Sequence, residues 1–217
     1  MPRVLRTRLP RRLGGVLRDG IADLVGPADC AHCGRGRAPL CEGCSRLCAA
    51  PLVRPTPPGI DRAVAAFDYD GPARSLVLAL KARARRDAAA PLARAMIEAA
   101  RSRGLAGSLV TWVPGRQDDI RTRGFDHAAV IAFEAAAGLG MEARGLIRSV
   151  SRRPDQAGLT AAQRKANLTG AFAAAWSPRR VVLVDDVITT GATARACARA
   201  LRASGARQVE LLVACSA

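Results

Sequence analysis

Four consecutive aliphatics, Val181-Val182-Leu183-Val184, run straight into two carboxylates, Asp185 and Asp186. A loop of hydroxyls and glycine follows, Val187-Ile188-Thr189-Thr190-Gly191-Ala192-Thr193. Such an aliphatic run suits a strand buried on both faces, and strands of that kind belong to parallel sheets covered by helices. The strand is expected to deliver both carboxylates to the edge of the sheet, with the loop then opening a helix. Gly191 lets the backbone approach a ligand closely, and the free N–H groups of a helix start favour a phosphate. The hydroxyls of Thr189, Thr190 and Thr193 add donors without adding charge. A ligand that suits both halves carries hydroxyls for the acids and a phosphate for the loop. A strand-end Asp acting as a turn or helix cap accounts for one carboxylate, but not for the pair and the loop together. The segment is neither a Walker P-loop nor a dinucleotide fingerprint, because G-x-x-x-x-G-K-[ST] and G-x-G-x-x-G are both missing there.

The pattern around this segment predicts an α/β domain. Strands are expected at Arg62–Tyr69, Ser108–Val113, Leu146–Val150, Ala171–Trp176, Val181–Val184 and Val209–Cys215. Helices are expected at about 73–82, 88–102, 127–137 and 193–204, with Gly205 as the last one's stop. The stretch with Pro114, Gly115 and Gly124 reads as a loop. Alternating strands and helices imply an open, mainly parallel sheet, and ligands sit at the carboxyl ends of its strands. Three parts are expected: a basic lead over residues 1–27, a cysteine module over 28–52, and the α/β domain over 60–217. The lead places Leu5, Leu9, Leu13, Leu17, Ile21 and Leu24 on one helical stripe opposite arginines. Such a helix suits packing on its own domain, a membrane surface or nucleic acid. Residues 51–59 (PLVRPTPPG) read as a stiff linker.

Five of the seven cysteines fall between residues 30 and 48. No apolar run near the N-terminus serves as a signal h-region, and none approaches the ~20 residues of a membrane span. The expected location is therefore the cytoplasm, where clustered cysteines suggest metal before disulfides. Cys30-Ala31-His32-Cys33 and Cys41-Glu42-Gly43-Cys44 are two C-x-x-C knuckles, and four thiolates complete a tetrahedral structural zinc site. A redox dithiol and paired disulfides are the rival readings. His32 and Cys48 are reserve ligands, while Cys197 and Cys215 read as core. The net charge of +16 favours polyanions, either phosphorylated metabolites or nucleic acid, though a merely solvated basic face has the same composition. Only Lys81 and Lys165 are lysines; arginine supplies the rest.

The acid–threonine segment resembles the signature of type I phosphoribosyltransferases. Further motifs occur in one order: Arg121-Thr122-Arg123-Gly124-Phe125-Asp126, then Arg152-Arg153-Pro154-Asp155-Gln156-Ala157-Gly158-Leu159, then Gln163-Arg164-Lys165-Ala166-Asn167-Leu168. Together with the cysteine module, they resemble the ComF family, the competence-associated branch of that superfamily, from about residue 18 onward. The resemblance implies a protein that binds 5-phosphoribosyl-1-diphosphate with Mg²⁺. Asp185 and Asp186 would hold the ribose hydroxyls as the catalytic acids, and Thr189, Thr190, Gly191, Ala192 and Thr193 the 5′-phosphate. Pro114, Gly115 and Arg116 would meet pyrophosphate, with Arg121, Arg123 and Lys81 nearby. Gln156, Arg164 and Asn167 would work in a hood over the reaction centre. Three departures stand out: Asp126 replaces the usual Asn, no glycine follows Lys81, and Pro114-Gly115 replaces a more Pro-rich continuation. The resemblance leaves two functions open. One is a phosphoribosyltransferase with an unidentified acceptor. The other is an accessory of DNA uptake that binds single-stranded DNA, or partners in the uptake machinery, without turnover.

Overall fold

A computed structural model of the 217-residue chain describes residues 29–51, 55–150 and 170–217. The expected N-terminal helix lies outside the described residues, as do Gln156, Arg164 and Asn167. The described elements are α1 (Glu42–Arg46), β1 (Arg62–Asp68), α2 (Gly71–Ala82), α3 (Ala89–Ser102), β2 (Leu109–Trp112), α4 (Gln117–Arg123), α5 (His127–Leu139), β3 (Glu142–Ala143), β4 (Ile147–Ser149), β5 (Phe172–Ala174), β6 (Arg180–Ile188), α6 (Ala192–Ala203) and β7 (Gln208–Ser216).

Five strands form one sheet in the order β1-β7-β6-β2-β3, and every neighbouring pair is parallel. The expected open parallel sheet is therefore present. β4 and β5 pair separately and antiparallel. Val181 to Val184 are at most 1% exposed, as are Leu211 to Cys215, so β6 and β7 are the sheet's buried centre. Their continuous aliphatic sequences follow from that position, since both faces are covered. One face packs under α2, α3 and α5 and takes in Ala31 from the cysteine segment. The other packs under α6 and the β4–β5 pair. Cys197 and Cys215 are fully buried core residues, as expected.

The strand order places the crevice. β6 leads through α6 to β7 on one side, whereas β2 leads through α5 to β3 on the other. The connections diverge between β6 and β2, and ligands of open α/β sheets bind at such a switch point. The carboxyl ends that meet there are the acid–threonine segment and Pro114-Gly115-Arg116.

Several expected elements are altered. The loop after β2 holds a seven-residue helix, α4, closed by Gly124 in the left-handed conformation (φ 81°). A two-residue strand, β3, edges the sheet, and α1 follows the second cysteine knuckle's first thiol. β6 continues past Val184 to Ile188, so both acids lie within the strand rather than beyond it. The apolar Val187 and Ile188 carry the strand through them. Among the described residues, no helix is long and apolar enough to cross a membrane.

Candidate functional site

Successive side chains in a strand point to opposite faces, so Asp185 and Asp186 cannot share one environment. Asp186 faces α2 and α5 and is only 3% exposed. Its Oδ1 accepts the backbone N–H of Val187 at 2.7 Å. Lys81 Nζ, near the end of α2, lies 2.9 Å from Oδ2, and His127 Nε2, at the start of α5, lies 3.2 Å from it. Both are contacts of ion-pair length, but neither donor is aligned for a hydrogen bond to Oδ2. Burial would raise the Asp186 pKa; the neighbouring His127 and the positive Lys81 outweigh it and hold the carboxyl below the usual range. Lys81 is shifted the other way from its desolvation, upward, by the charge of Asp186.

Asp185 is different. Its Oδ1 accepts the N–H of Asp186 at 2.9 Å, and no cation of the described residues lies within ion-pair distance. Burial first, and then the negative charge of Asp186, push its pKa well above the ordinary carboxylate value. In the free protein the pair thus holds one firm negative charge, on Asp186, and an acid that resists ionising beside it.

Thr189 and Thr190 are exposed, and Gly191 is buried with φ 68°. A Cβ on Gly191 would stand 2.6 Å from Pro57 Cγ, so the linker lies against the loop and only glycine fits both the space and the backbone. α6 begins at Ala192, and the first N–H groups of a helix have no partner within it.

Across the crevice, Asp126 ties the β2 loop to α5. Its Oδ2 accepts Gly115 N–H and its Oδ1 accepts Ala128 N–H, both at 3.1 Å. The Asn-to-Asp departure therefore has a local use: both carboxylate oxygens accept, whereas an amide has one acceptor oxygen. Arg116 holds the position just before α4, in extended backbone and without a side-chain capping bond. The arginines of that helix do not gather at the crevice. Arg121 is 76% exposed and pairs with Asp118 at 3.0 Å. Arg123 turns inward, donating to His127 Nδ1 at 2.7 Å and lying 3.5 Å from Asp119. The missing glycine after Lys81 also has a consequence: Ala84 takes a left-handed backbone, φ 52°, the only described non-glycine residue with positive φ.

His127 went unrecognised in the sequence, where it reads as the first residue of the helix expected at about 127–137. No helical spacing signals it: Arg123 ends α4 and His127 begins α5, with the left-handed Gly124 between them.

The cysteine segment forms a second constellation. The thiols of Cys30, Cys33, Cys41 and Cys44 all lie within 4.8 Å of one another, a cluster that could hold a metal ion. Cys33 and Cys41 sulfurs are 3.7 Å apart, close to the ~3.8 Å edge of a tetrahedron with metal–sulfur bonds of ~2.3 Å. Cys41 N–H donates to Cys30 Sγ at 3.4 Å. Backbone N–H groups overcome burial and lower the Cys30 thiol to about 6, whereas burial and the other thiols push Cys44 up to about 12. The described cysteines of the segment are free thiols, the state a metal site uses. His32 is turned away, its Nδ1 3.0 Å from Ser75 Oγ on α2, and Cys48 donates to the Cys44 carbonyl.

Comparison with known proteins fits this geometry. The family model described as phosphoribosyl transferase domain matches residues 124–217. DNA utilization protein YhgH of Salmonella typhimurium is 32% identical over 200 residues, 86% of this chain and 88% of that protein. The chain belongs to the ComF family. Competence protein F of Haemophilus influenzae is 34% identical to this ComF-family chain over 95 residues, 41% of the chain and 42% of that protein. Among solved structures, the allosteric regulatory enzyme of purine biosynthesis overlays 59% of the ComF-family chain and 26% of its own, at 20% identity and a TM-score of 0.40.

Proposed function

We propose that this protein binds 5-phosphoribosyl-1-diphosphate with Mg²⁺ in the crevice between β6 and β2. The observation that supports it is the acid pair and threonine–glycine loop on one side of the switch point, facing Pro114-Gly115-Arg116 on the other. In this reading Thr189, Thr190, Gly191, Ala192 and Thr193 take the 5′-phosphate and the acids take the ribose. Pro114, Gly115 and Arg116 meet the diphosphate, and the half-exposed Lys81 can turn toward it. Asp185 fits a bound cation, since it is partly exposed and has no cation partner among the described residues. When bound, Mg²⁺ offsets the charge of the diphosphate. Gln156, Arg164 and Asn167 complete the reading as hood residues.

In a transfer reaction the bond from ribose C1 to the diphosphate breaks, and pyrophosphate leaves with the electron pair. A lone pair of the acceptor forms the new bond to C1, and the acceptor's proton passes to solvent. The acid pair stabilises the positive charge that develops on the sugar. The cysteine cluster takes Zn²⁺, the ion that four thiolates select in a reducing cytoplasm, and purified protein should carry one metal per chain.

A second reading draws on the names of the relatives, which are DNA utilization and competence proteins, and on the net charge of +16. In it the same site binds a sugar phosphate or single-stranded DNA without turnover, as an accessory of DNA uptake. A gel shift with single strands that weakens steeply with salt would support it. Pyrophosphate release that requires Mg²⁺ and an added base would favour the enzyme.

Thermal stabilisation by ligand fragments tests the site. Ribose 5-phosphate should engage the loop and acids, pyrophosphate the β2 loop, and the sugar diphosphate both. At a hundredfold excess over Kd the last should add about 2.7 kcal/mol of stability. Equal, negligible shifts for all three would sink the proposal.

A further inference from the structure

The two acids lie on opposite faces of β6, and their surroundings differ more than a shared role allows. Asp186 is shut from solvent, with a backbone N–H on Oδ1 and two side-chain nitrogens against Oδ2. An ionised carboxylate offers about four lone-pair sites. On Asp186 one oxygen accepts a backbone N–H and the other is crowded by two side-chain nitrogens within 3.2 Å, which leaves little room for a sugar hydroxyl. Asp185 is partly exposed and has no such cage.

His127 is part of that cage, and its protonation pattern is fixed by geometry. A guanidinium has donors only, so the 2.7 Å contact from Arg123 requires Nδ1 to carry the lone pair. The ring proton of the neutral imidazole then sits on Nε2, the nitrogen that faces Asp186. The one contact that would favour the other tautomer, Nδ1 to Asp126 Oδ1, is 4.0 Å and too long for a hydrogen bond. Arg123 is itself fixed, with its side chain 9% exposed and Asp119 behind it. Arg123, His127 and Asp186 thus form a chain from α4 through α5 to β6. Lys81, 46% exposed, is the one member of the cage with a free path to solvent.

We propose that the acid pair divides its labour: Asp185 alone meets the ribose, while Asp186 is a positioning residue held behind it by His127, whose tautomer Arg123 fixes. This rests on the sugar-phosphate reading above and deepens it. Held in this way, Asp186 sets the strand end from which Asp185 projects. It also keeps an anionic contact for Lys81 until the ligand's phosphates compete for that lysine.

The test uses the full-length, metal-replete protein and compares Asp185→Asn, Asp186→Asn, His127→Leu and His127→Gln. Binding of 5-phosphoribosyl-1-diphosphate with Mg²⁺ is read by calorimetry, and stability by thermal midpoint. Loss of Asp185 should weaken binding by about a hundredfold, as removing charged hydrogen bonds does. Loss of Asp186 or of the His127 ring should weaken it by about tenfold or less, with a clear fall in midpoint. The glutamine, whose amide can present a donor near the Nε2 position, should recover most of both. Because His127 acts through Asp186, His127→Leu should change little further in an Asp186→Asn background. Ring ¹⁵N spectra should show His127 protonated on Nε2, with its signals assigned by their loss in the variants.

Binding that falls as far for Asp186→Asn as for Asp185→Asn would overturn the division. So would a Nδ1-protonated His127, or an additive effect of the two substitutions on the midpoint. Wild-type protein that binds no sugar diphosphate would instead overturn the functional reading, and Asp185's role with it. The tautomer and the midpoint cycle would still decide whether His127 positions Asp186.

Discussion

The two faces of β6 solve the problem of a buried carboxylate in opposite ways. Toward α2 and α5, Asp186 sits among Lys81, His127 and a backbone N–H, and its ionised form is favoured. Toward α6, Asp185 has one backbone N–H and an anion for a neighbour, and its ionised form is disfavoured. A buried charge is tolerated when it is paired, and an unpaired one shifts toward neutrality. The comparison separates the part of the site that supports structure from the part left unsatisfied until something binds.

The largest effect should come from the ion-paired face. Asp186→Asn leaves Lys81 and His127 without their anion and should cost about 3 kcal/mol, measured by urea unfolding at pH 7. The lowered pKa gives the sign with pH. The stability contributed by Asp186 is present above the unfolded carboxyl value and disappears as pH falls toward the depressed folded value. The deficit of the variant should therefore shrink in acid.

On the loop that continues toward α6, Gly191→Ala combines a left-handed backbone with a Cβ against Pro57. It should cost about 2 kcal/mol in the same assay. A cost near zero would mean the linker does not lie against the loop.

Asp185→Asn should do the reverse and stabilise the free protein at pH 7, on the order of 1 kcal/mol, while losing ligand. A raised pKa means that the folded state keeps its proton where the unfolded chain loses it. Stability from Asp185 is thus full below the unfolded value and is lost as pH climbs toward the raised folded one. The gain of the variant should vanish near pH 3. A destabilising Asp185→Asn would break the contrast between the faces.

The smallest effect is expected at Ala84, beyond the helix that carries Lys81. Ala84→Gly relieves a left-handed alanine and should raise stability by at most about 1 kcal/mol in thermal unfolding, since glycine adds freedom to the unfolded chain.

Much of this was legible from residues alone. Val181–Val184 announced a doubly covered strand, and the acids and threonines after it marked the carboxyl end where ligands bind. The strand's continuation was misjudged because paired carboxylates look like an ending, although Val187 and Ile188 kept the apolar run going. α4 was hidden by its flanks, Pro114-Gly115 and Gly124, which read as a loop when the helix between them has only seven residues. β3 has two residues, too few to show a period of two. His127 was missed for a deeper reason. Its partners Asp186 and Lys81 lie 59 and 46 residues away in sequence, and no local pattern encodes a contact made by the fold. The split between the acids follows from the same strand geometry: period two was predictable, but the neighbours waiting on each face were not.

The most direct test is a calorimetric titration of 5-phosphoribosyl-1-diphosphate with Mg²⁺ into the wild-type protein and into the Asp185→Asn, Asp186→Asn double variant. Both samples should first be verified as folded by circular dichroism. The account predicts saturable binding by the wild type and none by the variant. No heat and no thermal stabilisation in folded, metal-replete wild-type protein would contradict it, and would leave the basic surface and single-stranded DNA as the place to look.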